Sequence, residues 1–139
     1  MCDSSLDAAT LDRLQEAARA AAANAYAPYS RFRVGAALLF EDGFIATGCN
    51  VENVSFGLTS CAERSAIVSA VSQRGASHKI VAIAVTNLNG AASPPCGACR
   101  QILSEFVAPD AIVWFPGDKG PELRPFAELF PFTFHLDPQ

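Results

Sequence analysis

The chain has 139 residues, enough for one compact domain around a single core and too few for two ordinary ones. Ten Lys and Arg against fourteen Asp and Glu leave a net charge of -4, which offers no basic field to a nucleic-acid backbone and suits a small neutral ligand better. Half of the residues are apolar and only 17% are charged, less polar residue than a small monomer needs to cover itself, so self-association is expected.

In chain order, Leu11, Leu14, Ala18, Ala21 and Ala25 recur at helical spacing ahead of Pro28, and predict an amphipathic helix over residues 6–25. The apolar runs Phe32 to Phe40 and Phe44 to Val51 flank Asp42-Gly43, a dipeptide suited to a tight turn, and predict an antiparallel hairpin. Ser60-Cys61-Ala62-Glu63 has the form of a capping box, which starts a second helix at Cys61 that runs toward Gly75. Lys79 to Thr86 reads as a buried strand, residues 87–95 as a loop, and Cys96 to Val107 as a third helix stopped before Pro109. Ala111 to Phe115 predicts a short strand, Pro116-Gly117-Asp118 a turn, and Pro125 to Phe130 a short helix. Strands and helices at this spacing predict an α/β fold, a three-layer α/β/α sandwich with a mixed sheet, formed by residues 1–139 as a single domain. No run approaches about eighteen consecutive apolar residues. The opening Met1-Cys2-Asp3-Ser4-Ser5 lacks the regions of a secretory signal, so a cytoplasmic protein is expected.

Five cysteines in a reducing compartment suit thiols or metal ligands better than a disulfide framework. Cys61 stands at one predicted helix start, and Cys96 and Cys99 stand at another. Helix N-termini favour thiolates, and zinc binds thiolates, so three sulfurs could hold the metal and leave a fourth position for water. Cys96-x-x-Cys99 alone is equally compatible with a redox pair or half of a structural zinc site. Glu63, two residues after Cys61, could carry protons at such a metal, or could simply cap its helix.

Cys61-Ala62-Glu63 followed by Pro95-Cys96-Gly97-Ala98-Cys99-Arg100-Gln101 resembles the short, three-cysteine cytidine deaminases of the cytidine/deoxycytidylate deaminase superfamily. Tyr29 to Ala37, Gly48 to Asn53 and Glu128 to Phe134 extend the resemblance over nearly the whole chain. It is least informative at residues 1–10 and 116–124.

The resemblance implies hydrolytic deamination of cytidine and deoxycytidine to uridine and deoxyuridine in pyrimidine salvage. One Zn2+ per subunit is held by Cys61, Cys96 and Cys99, and Glu63 is base and then acid. It implies that Phe32 stacks on the pyrimidine, that Asn50 and Glu52 hold the ribose 3'-hydroxyl, and that the backbones of Ala62 and Pro95 read the base edge. It implies too that Arg64, held by Gln101, draws charge from the three thiolates, whereas the residue pattern alone fits an ordinary surface arginine. The implied assembly is a homotetramer in which Phe134 reaches a neighbour's active site.

Some positions depart from the pattern or stand outside it. Phe56 stands where the family commonly has tyrosine, and Val54 where it has a smaller residue. Cys49 reads as a buried apolar thiol, Cys2 as a terminal residue, and His78 and His135 as structural or surface positions. Two rivals fit parts of the same pattern. A deaminase of a cytosine-nucleoside antibiotic shares the chemistry, and a zinc-stabilised binding module would close its site with a fourth thiolate from Cys49 or Cys2.

Overall fold

A computed structural model describes residues 6–134 and 136–138. Cys2 and His135 lie outside the described residues. The first helix, α1 (Ala8–Ala22), is capped by Asp7, whose side chain accepts from the Thr10 amide at 2.8 Å. It is shorter than its apolar spacing predicts, because residues 23–27 turn away and Tyr26 bridges to Val51.

Strands β1 (Val34–Phe40) and β2 (Ile45–Cys49) form the expected hairpin, with Gly43 at φ 93 in its turn. Next come α2 (Ala62–Arg74), β3 (Ile80–Asn87) and α3 (Gly97–Ser104). The chain ends with β4 (Val107–Gly117), β5 (Gly120–Pro125) and the short α4 (Phe126–Leu129).

The five strands lie in the order β2-β1-β3-β4-β5. The β3–β4 pair is parallel and the others antiparallel, so the sheet is mixed as expected. Side chains alternate across it. Ala37, Leu39, Ala82 and Ala84 pack on Leu14 and Ala18 of α1, while Leu38, Ile83 and Val85 face the layer holding Ile67 and Leu103. That alternation makes three layers. Full burial of each large aliphatic side chain contributes about 1.5–3 kcal/mol.

Two predicted segments change shape. The third helix stops at Ser104, and residues from Val107 onward already belong to β4. Pro109 is tolerated there because the β3–β4 register shifts between the Ile80–Val107 and Ala82–Ile112 pairs, where no ladder donor is required of it. The unforeseen β5 lies at the sheet edge, and among the described residues β4 is its one strand partner.

The topology builds one end of the sheet for a site. Strands β2 and β3 both run antiparallel to β1, so their carboxyl ends share an edge, and α2 and α3 start from it. The register pairs Gly35 with Cys49 and Val34 with Asn87, which brings the entry of β1 to the same edge.

Two glycines set how close the helices come. A Cβ on Gly35 would lie 2.0 Å from the Ala18 carbonyl oxygen, and one on Gly48 would lie 2.4 Å from the Ala66 amide nitrogen. The first turn of α2 therefore rests directly on β2.

Candidate active site

Cys61 and Cys96 occupy the positions just before α2 and α3, and Cys99 lies in the first turn of α3. Their sulfurs lie within 4.8 Å of one another, with Cys99 buried, Cys61 half-buried and Cys96 exposed. Tetrahedral zinc with Zn–S bonds of about 2.3 Å needs sulfurs about 3.8 Å apart, so the three side chains fit the metal with little movement.

Their electrostatics also suit a metal. Hydrogen bonding from Cys99, then from Cys96, and the charge of Arg64 bring the Cys61 thiol down to about 6 against the opposing effect of burial. The same contact with Cys61, together with burial, pushes the Cys99 thiol up. Among the described residues the buried Arg64 Nε finds no hydrogen-bond partner, and this donor, whose charge acts on the Cys61 thiol, calls for a negative partner. Gln101 is half-buried, and its main-chain carbonyl accepts from the Ser104 hydroxyl at 2.6 Å.

Glu63 does not form the capping box. Cys61 takes the cap position one residue later than expected and makes no side-chain cap bond among the described residues, and the Ser60 hydroxyl instead meets that of Ser65 at 3.0 Å. Released from that role, Glu63 is 5% exposed and faces a cavity of about 340 Å³. Burial pushes its carboxyl up to about 7; its own backbone amide opposes this, and the neighbouring Cys61 charge adds to it. A carboxyl near neutrality can both take and give a proton.

The cavity is lined by Cys61, Ala62, Glu63 and Cys96 together with Phe32 and Asn50. Asn50 binds the chain that carries Phe32: its Nδ2 donates to the Phe32 carbonyl at 2.7 Å, and its Oδ1 accepts from the Val34 amide at 2.9 Å. Glu52 is buried and accepts from the Tyr29 and Ser30 amides at 3.0 and 3.2 Å and from the Ser30 hydroxyl. These contacts hold its carboxyl below the usual carboxylate range, the Ser30 hydroxyl contributing most.

Cys99, Glu52, Arg64, Gln101, Pro95 and Phe134 do not line the cavity. Pro95 is buried, and its carbonyl accepts from Arg100 Nε at 2.7 Å. Phe134 is 70% exposed. Cys49 is half-buried rather than buried, because β2 lies at the sheet edge, and the sulfur cluster comprises Cys61, Cys96 and Cys99 without it. His78 lies on the surface between Glu41 and Asp42, 3.5 and 3.6 Å away.

Spacing alone did not mark Ser93 and Pro94, which close the cavity from the loop before Cys96. Nor did it mark Asn87, whose Nδ2 ties that loop through the Ala91 carbonyl and the Ser93 hydroxyl. A buried polar residue at a strand end is the signal that could have found it.

A mixed sheet whose shared edge gathers three sulfurs, with Cys61, Cys96 and the buried Glu63 carboxyl lining one cavity, defines a zinc-site α/β protein. Residues 9–115 match the family described as the cytidine and deoxycytidylate deaminase zinc-binding region, and the chain belongs to that family. It is 46% identical over 119 residues to the cytidine deaminase of Mycobacterium tuberculosis, covering 84% of each chain. It is 46% identical over 111 residues to that of Halalkalibacterium halodurans, covering 79% of this chain and 83% of the other. Among solved structures, cytidine deaminase from Burkholderia pseudomallei superposes with a TM-score of 0.80 at 43% identity, over 88% of this chain and 98% of that one.

Proposed function

We propose that the protein hydrolyses the amino group from the cytosine ring of cytidine and deoxycytidine, releasing ammonia and leaving uridine and deoxyuridine. The observation that carries this reading is the buried Glu63 carboxyl at the cavity wall beside the Cys61, Cys96 and Cys99 sulfurs. Zinc held by those sulfurs supplies a Lewis acid and lowers the pKa of water. Glu63 takes the proton of the attacking water and delivers it to N3 while the hydroxyl oxygen adds to C4. The carboxylate then takes the hydroxyl proton and gives it to the amino nitrogen, which departs as ammonia as the C4 carbonyl forms. Arg64 offsets the negative charge of the thiolates, with Gln101 as its support.

Phe32 stacks on the base, and the main chain at Ala62 and Pro95 reads its edge. Asn50 has spent one donor and one lone pair on the main chain and keeps one of each, while Glu52 keeps lone-pair capacity on Oε2. Both therefore remain able to hold a ribose hydroxyl.

The reading takes residues 1–139 as one cytoplasmic domain of a pyrimidine salvage enzyme. Both core clusters share one sheet, and Cys49, Cys61, Cys96 and Cys99 are free thiols as a reducing compartment favours. Among the described residues no helix is long and apolar enough to cross a membrane.

We also propose a homotetramer with Phe134 entering a neighbour's site. Of the four C-terminal phenylalanines, Phe126 is buried and Phe130 packs against the core, while Phe132 and Phe134 are 103% and 70% exposed. That division supplies an apolar tail for another subunit. Sedimentation at four times the chain mass supports the assembly, and a monomer with full activity contradicts it.

The activity is tested by incubating purified protein with cytidine and with deoxycytidine and measuring ammonia and the deaminated nucleoside. Equal amounts of both products are expected. Product absent with both substrates overturns the reading.

A further inference from the structure

Two asparagines bracket the segment that carries Phe32. Asn50 takes the Phe32 carbonyl and the Val34 amide. From the other side, Asn89 Nδ2 donates to the Arg31 carbonyl at 3.0 Å, and Asn89 Oδ1 accepts from the Arg33 amide at 3.1 Å. The segment needs such restraint. Arg31 sits at φ 63, in the left-handed region that a residue with a side chain rarely adopts.

Asn89 is itself held in place. Its amide donates to Asn87 Oδ1 at 2.9 Å, and Asn87 Nδ2 donates to the Ala91 carbonyl and the Ser93 hydroxyl at 2.8 and 2.9 Å. Phe32 and Ser93 both line the cavity. One chain of hydrogen bonds therefore runs from the end of β3 to the segments that carry two cavity-lining residues, Phe32 and Ser93, and Asn89 is its link to the residues flanking Phe32.

We infer that Asn89 is a positioning residue for nucleoside recognition, which holds the left-handed Arg31 so that the Phe32 ring stays at the cavity wall. The inference rests on the deaminase reading and on Phe32 as the base contact. Proton transfer belongs to Glu63 on α2, which the Asn89 bonds do not touch, so Asn89 governs binding more than chemistry.

Asn89 is exposed, which lets its side chain be changed without opening the core. In Asn89→Ala, KM for cytidine is expected to rise about fivefold while kcat stays within about twofold, an effect the size of a misplaced aromatic contact. Zinc content should hold, and the unfolding midpoint should fall only slightly, since both lost hydrogen bonds are exposed. Asn89→Asp keeps the acceptor for Arg33 and loses the donor to Arg31, so its KM should fall between the two. In a Phe32→Ala background the Asn89→Ala change should add almost nothing, because both substitutions act through one ring.

An unchanged KM in Asn89→Ala, a loss confined to kcat, or a full additional loss in the Phe32→Ala background overturns the inference. Wild-type enzyme in the same assay separates the two levels. An inactive wild type removes the deaminase reading and this inference with it, whereas an active wild type with an unmoved variant removes this inference alone.

Discussion

Arg100 Nη1 donates to the main-chain carbonyl of Leu129 at 2.7 Å, joining the start of α3 to the end of α4. Its Nε donates to the carbonyl of Pro95, the residue before Cys96 of the sulfur cluster, so one guanidinium ties that loop to the root of the C-terminal tail. Arg100→Ala should lower stability by roughly 1.5–3 kcal/mol, the usual worth of hydrogen bonds to a charged group. Arg100→Lys should recover less than half, since an ammonium cannot span both carbonyls. Denaturant midpoints of the three proteins check this, and equal midpoints would show the bonds to be incidental.

Gly48 should be intolerant of any side chain. An added Cβ would lie 2.4 Å from the Ala66 amide nitrogen and 2.6 Å from the Ala62 carbonyl oxygen, so α2 must shift outward and carry Cys61 and Glu63 with it. Gly48→Ala should cost about 1–3 kcal/mol and reduce turnover even where the variant is folded. Gly57, with open space around its Cβ position, is the control, and Gly57→Ala should leave the unfolding midpoint nearly unchanged.

The loop ahead of Phe32 should carry an acid-sensitive contribution to stability. The Glu52 carboxyl lies below its ordinary value of 4.5, chiefly through the Ser30 hydroxyl. Its contribution is fully present above that value and is lost as pH falls through the lower folded value. Ser30→Ala removes the largest cause, so between about pH 5 and 3 the wild type should lose more stability than the variant. Parallel pH-stability curves would contradict this.

Much of this was legible in the sequence because it rests on local pattern. The hairpin at Asp42-Gly43, the Ala-rich helix and the two cysteine-bearing helix starts follow from spacing and turn chemistry, and each lies within two or three residues of its predicted place. The strand β5, Gly-Pro-Glu-Leu-Arg-Pro, was not legible, since two prolines and two charges give no strand signal. It forms because β4 offers it an edge.

Glu63 shows the limit in the other direction. The local motif predicted a cap, and the tertiary contact of α2 with Gly48 helps place the carboxyl against the sulfur cluster instead. The asparagine bracket around Phe32 joins residues 56 and 58 positions apart, which no local pattern could announce.

Glu63→Gln keeps the size and polarity of the buried side chain and removes its ability to carry a proton. Turnover should fall by roughly 100-fold to 10,000-fold while zinc content and the unfolding midpoint persist. A variant that keeps more than about a tenth of wild-type kcat would reduce Glu63 to a structural residue.

The central claim is that Cys61, Cys96 and Cys99 hold one zinc beside Glu63 and that this site deaminates cytosine nucleosides. Protein stripped of metal by a chelator and titrated with zinc tests it most directly, with bound zinc and ammonia release from cytidine measured on the same samples. Activity should rise in proportion to bound zinc and break at one ion per chain, and Cys99→Ser should neither load nor turn over. Full loading at one zinc per chain without ammonia release, or turnover that persists in the stripped protein, would contradict the account.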